Sequence, residues 1–153
     1  MTHTHDVSYQ RLVEIRHSSR PDTAKRVLLV EDSEMLREAL AEALENEGYE
    51  VVAVADGLQA LDHLRWSWRP ACVLLDMRMP VMTGWELRRT MEADPSLRDI
   101  CVIGMTGGRW KPDDRAWFAT LIPKPIDFQV LLSALKRCGT EGACVGPCCT
   151  SPT

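Results

Sequence analysis

Five short apolar runs recur along this chain, in "KRVLLVED", "YEVVAVAD", "ACVLLD", "DICVIGMT" and "LIPK", and none keeps a strict polar alternation. A strand with one wet face shows a period of two, so runs of this kind are expected to be covered on both faces. Helix-period segments lie between them. In "SEMLREALAEALENEG", Met35 or Leu36, Leu40, Ala43 and Leu44 share one face, with Ser33 placed as N-cap and Gly48 as the C-terminal stop. "GLQALDHLRWSW" turns Leu61, Leu64 and Trp68 inward, and "WELRRTMEAD" ends near Pro95. "DFQVLLSALKRC" offers Phe128, Leu131, Leu132 and Leu135 to a core before Gly139 stops it. Strand and helix in regular alternation predict an α/β fold: a doubly wound five-stranded parallel sheet with helices on both faces. Such sheets carry their working residues at the carboxyl ends of the strands, near the point where strand order reverses.

The residues at those ends are chemically pointed. Glu31 and Asp32 follow the first strand, Asp76 the third, Thr106 the fourth and Lys124 the fifth. Three neighbouring carboxylates repel one another and ask for a cation. All-oxygen donors suit Mg2+, which keeps several waters and is completed by a substrate phosphate. An aspartate beside such a metal can attack a phosphoryl group and form an acyl phosphate. Lys124 would neutralise the transferring oxygens and Thr106 would donate a hydrogen bond to one of them. Taken singly each residue has an ordinary reading: acids cap helix N-termini, and lysines sit in water. Five such residues at the ends of four strands make a case that none makes alone.

From about residue 25 to 138 the chain resembles a bacterial response-regulator receiver domain of two-component signalling. The resemblance rests on "VLLVEDS", "VLLDMRMPVMTG", "VIGMT" and "IPKP", in that order and at that spacing. It implies the flavodoxin-like receiver fold, with Glu31 and Asp32 binding Mg2+ together with Asp76 and the backbone carbonyl of Arg78. It implies that Asp76 is the phosphoacceptor, that Thr106 and Lys124 contact the phosphoryl group, and that the Lys124–Pro125 bond is cis. The implied partners are a sensor histidine kinase or histidine phosphotransfer protein, and a downstream protein that receives the output. Receivers usually carry Tyr or Phe three residues before the lysine, where this chain has Leu121. Gly107 and Gly108 free the loop after Thr106, and the short span to Lys124 predicts a stunted fourth helix around "PDDRAWFAT".

Other classes fit less well. A haloacid dehalogenase type phosphatase also uses an aspartate at such a sheet edge, but wants a second aspartate two residues on as general acid. Arg78 stands there, so we expect a signalling protein and not an enzyme. A phosphorylation-independent interaction module with the same fold stays open as the alternative. The net charge of −4 argues against direct nucleic-acid binding. No apolar run of membrane-spanning length and no secretion signal is present, so we expect no membrane insertion and a cytoplasmic location.

The expected organisation is a flexible N-terminal extension over 1–24, the receiver over 25–138 and a flexible Cys-rich tail over 139–153. That tail is too short for a DNA-binding module, which directs output to protein contacts. Cys72 and Cys101 read as free, buried small hydrophobes. Cys138, Cys144, Cys148 and Cys149 in "CGTEGACVGPCCTSPT" lack the paired knuckles of a zinc site and read as oxidisable tail thiols.

Overall fold

The computed structural model describes residues 25–66 and 69–140. Its strands are β1 (Arg26–Val30), β2 (Glu50–Val54), β3 (Cys72–Asp76), β4 (Cys101–Thr106) and β5 (Thr120–Pro123). They alternate with α1 (Glu34–Asn46), α2 (Gly57–Trp66), α3 (Gly84–Ala93), a 3-10 helix (Pro112–Trp117) and α4 (Phe128–Thr140). The strands form one sheet in the order β2-β1-β3-β4-β5, and every pairing is parallel. Strand order reverses between β1 and β3, so the expected crevice lies above those two strands.

Apolar continuity in the sequence becomes two-sided burial here. β3 and β4 are buried along their whole length, and β1 from Val27 onward. Successive side chains of a strand point to opposite faces, which splits the core in two. Val27, Leu29, Leu74 and Ile103 pack with Leu40 and Leu44 of α1 and Leu131 and Leu135 of α4. Leu28, Val30, Val73 and Leu75 pack with Leu61 and Leu64 of α2 and Leu87 and Met91 of α3.

The helix signals are resolved one by one. Ser33 caps α1, its side chain accepting from Leu36 N, and Gly48 ends the turn at φ +92°, a conformation that favours glycine. Of the two candidates for the first inward position, Leu36 packs against the core while Met35 is 84% exposed. The fourth connection carries only the 3-10 helix, capped by Lys111 N donating to Asp114 Oδ2 at 2.6 Å. Pro112 opens it, where a missing N–H costs nothing.

Three expectations need correction. Gly139 does not stop the last helix, which runs on to Thr140. Cys101 is not a free thiol, because it is joined to Cys138 in a disulfide. Cys138 is accordingly no tail residue: it is buried in α4. Docking of that residue holds the final turn against β4, and one glycine near a helix end weakens it by only about 1 kcal/mol. Trp68, the 1–24 extension and Cys144, Cys148 and Cys149 lie outside the described residues.

Candidate functional site

The ends of β1, β3, β4 and β5 deliver the site. The β1 ladder continues one residue beyond the strand, with Glu31 N donating to Val54 O at 3.1 Å, and this seats the Glu31 side chain fully inside. Asp32 follows it and is exposed. Asp76 closes β3 and is buried. Carboxylate oxygens of Glu31, Asp32 and Asp76 lie within 4.8 Å of one another.

Lys124 arrives from the far edge of the sheet. Its backbone N–H donates to Thr106 O at 2.8 Å, extending the β4–β5 ladder past Pro123. From there its Nζ reaches Glu31 Oε2 at 3.1 Å and Asp76 Oδ1 at 3.3 Å. The Lys124–Pro125 peptide is cis, as the resemblance implies. Thr106 is buried, and its hydroxyl accepts from Gly108 N at 3.1 Å. Arg78 N donates to Asp76 Oδ1 at 3.1 Å, and Ser33 N to Glu31 Oε1 at 3.3 Å.

Electrostatics follow from three acids meeting one amine. Burial lifts the Glu31 carboxyl to about 7, with Asp76 repulsion adding, against the hydrogen bonds from Lys124 and Ser33. Burial likewise raises Asp76, opposed by the Arg78 N–H and the Lys124 charge. Lys124 is pushed down by burial, but the Glu31 hydrogen bond and the two carboxylate charges outweigh it and hold its pKa above the ordinary value. The cluster is thus short of positive charge, and its donors are hard oxygens. That combination fits a divalent cation such as Mg2+.

Close approach of backbone shapes the walls. A Cβ on Gly84 would lie 2.6 Å from Asp76 O and 2.8 Å from Met77 Cα, so only glycine lets α3 start against the end of β3. Val81, in the same β3–α3 loop, holds φ +71° and is exposed, a strained state for a β-branched residue. Leu121 is half-buried and packs with Met77 and Phe118 in the core facing α2 and α3.

Two contacts of this region escape a reading of the sequence. Arg88 is buried, its Nε donating to Trp117 O and its Nη2 lying 3.1 Å from Glu92 Oε2. Its place in the stripe Gly84, Leu87, Arg88, Met91 was the available signal: a charge on the inward face of an amphipathic helix. Phe118 meets Trp85 edge to face, with ring centroids 5.2 Å apart.

Residues 27–136 match the family described as response regulator receiver domain. The chain belongs to that family. This receiver is 32% identical over 116 residues to the polar-differentiation response regulator DivK of Brucella anthropi, covering 73% of this chain and 94% of that protein. A solved signal receiver domain of a histidine kinase from Syntrophus aciditrophicus is similar at 33% identity and TM-score 0.68, covering 78% of this chain and 94% of that one. The receiver domain of sensor histidine kinase PA1611 from Pseudomonas aeruginosa, solved with a magnesium ion coordinated in its active site cleft, is 28% identical at TM-score 0.68, with 75% and 97% covered. The receiver therefore has the flavodoxin-like fold of two-component signalling proteins. Among its described residues no helix is long and apolar enough to cross a membrane.

Proposed function

We propose that this receiver accepts a phosphoryl group on Asp76 from a histidine kinase or histidine phosphotransfer protein and passes the signal on by contacts with a downstream protein. The observation that carries the reading is the convergence of three carboxylates within 4.8 Å, with Lys124 bridging the two buried ones. Glu31, Asp32, Asp76 and the Arg78 carbonyl would hold Mg2+, which supplies the positive charge that transferring phosphoryl oxygens require. The magnesium-bearing relative from Pseudomonas aeruginosa supports that assignment.

The chain's own residues have separable tasks. An Asp76 carboxylate oxygen bonds to phosphorus as the P–N bond of the donor phosphohistidine breaks, and the imidazole leaves. Lys124 opposes the burial that raises Asp76 before transfer and afterwards follows the new phosphoryl oxygens, a preorganised charge that needs little rearrangement. Thr106 can exchange its present hydrogen bond with Gly108 N for one donated to a phosphoryl oxygen. That exchange pulls on the β4 loop, and a loop shift of this kind is the signal a partner reads.

Intact-mass measurement after treatment with acetyl phosphate and Mg2+ tests the assignment. Wild type should gain one phosphoryl group and Asp76→Asn none. Equal incorporation in the two proteins would remove Asp76 from the role.

A further inference from the structure

At the end of the sheet away from the acids, Cys72 opens β3 and pairs in register with Cys101, which opens β4. Cys138 reaches them from the end of α4. All three are buried, at 1%, 3% and 7% exposure, and their Sγ atoms lie within 4.8 Å of one another. They belong to the core that also holds Leu74, Ile103 and Leu135. Cys101 and Cys138 form the disulfide and Cys72 carries a free thiol beside it. A disulfide uses two sulfurs; the third, within 4.8 Å of both, gathers three thiol donors in one place once the bond is opened.

We propose that, once the disulfide is reduced, Cys72, Cys101 and Cys138 form a three-thiol site for a trivalent thiophilic ion of the arsenite class. Three sulfurs without a carboxylate or imidazole select soft ions. Structural zinc asks for four ligands, and a divalent ion on three thiolates would leave one negative charge in apolar surroundings, which is costly. Burial already pushes the Cys72 thiol far above its ordinary value, the same resistance to charge. Trivalent arsenic on three thiolates is neutral and three-coordinate. In forming it, three As–O bonds of arsenous acid break and three As–S bonds form. Each thiol proton leaves on a hydroxide as water, and arsenic stays trivalent. Entry is easiest beside Cys138, the most exposed of the three, because helix ends fray. Disulfide and bound ion exclude each other, so the thiol state of this core decides which cross-link joins α4 to the sheet.

The test uses the full chain with Cys144, Cys148 and Cys149 changed to serine, which removes competing thiols. A phosphine reductant opens the disulfide and becomes the phosphine oxide, taking its oxygen from water. Native mass spectrometry with sodium arsenite should then show one arsenic gained and three hydrogens lost. The melting temperature of the reduced protein should rise, since an ion bound only by the folded state stabilises it, while the oxidised protein should not respond. Cys72→Ser and Cys72→Ala, each checked for folding by circular dichroism, should bind at least about tenfold more weakly. Absence of arsenic uptake by the folded, reduced parent overturns the proposal. So does an unchanged or lowered melting temperature, or a folded Cys72 variant that binds as tightly as the parent.

Discussion

Glu31 is an acid held inside the protein by one shared lysine, and its behaviour with pH reports on the whole cluster. Its carboxyl is raised from 4.5 to about 7, by burial first. The folded state therefore binds a proton that the unfolded chain has already released between those two values. Stability from this group is fully present below pH 4.5, declines as pH rises and is lost above about 7. At ~1.4 kcal/mol per unit the decline from 4.5 to about 7 amounts to roughly 3–4 kcal/mol. Urea denaturation in chelator at pH 5 and pH 8 should show this loss in wild type, and a much smaller one in Glu31→Gln. Mg2+ should restore stability at pH 8 in wild type alone. A second residue stores strain: Val81 holds φ +71° on an exposed loop. Asn tolerates that conformation, so Val81→Asn should stabilise the protein by about 1 kcal/mol in the same assay.

Among the elements, the fourth connection departs most from a regular strand–helix–strand pattern. A 3-10 helix replaces a full helix there, and Arg88 ties it to α3 by donating to Trp117 O while pairing with Glu92. Phe118 packs on Trp85 from the same segment. Removing the guanidinium leaves a carbonyl without its charged donor and a hole in the inward face of α3. Arg88→Ala should cost about 2–3 kcal/mol, read as a lower urea midpoint. Its tryptophan emission should shift to the red as Trp117 gains water. An unchanged midpoint would mean that the 3-10 helix is held by Phe118 alone.

Across the whole molecule, the loop that starts at Thr106 joins the carboxylate site to the 3-10 helix and β5. Leu121 is already seated against Met77 and Phe118, so the usual inward swing of an aromatic has no counterpart here. The response is expected in the loop itself, where Gly108 N donates to Thr106 Oγ1 and which carries Trp110, with Arg115 5.8 Å over its ring. Beryllofluoride with Mg2+ mimics an acyl phosphate on Asp76. Titration with it should change tryptophan fluorescence, and the change should vanish in Thr106→Ala and in Trp110→Phe. If Trp110→Phe keeps the full signal, the moving element is the neighbourhood of Trp85.

The order of elements, the parallel sheet and the strand-end positions of Glu31, Asp32, Asp76, Thr106 and Lys124 were legible in the chain itself. Each is encoded locally: apolar runs without alternation dictate two-sided burial, and the residue that ends such a run sits at the sheet edge. Even the stunted fourth helix could be read, because too few residues separate Thr106 from Lys124. Tertiary structure alone decided who meets whom. Lys124 pairs with Glu31 as well as Asp76 because three strands, β1, β3 and β5, bring their ends to one crevice. Cys138 joins Cys101 and nears Cys72 because α4 packs back across the sheet, although 37 residues separate the disulfide partners in sequence. Met35 lost to Leu36, and Arg88 went inside, because the exact rotation of a helix is set by what it packs against. Periodicity fixes which face is apolar; only the closed core fixes where that face points.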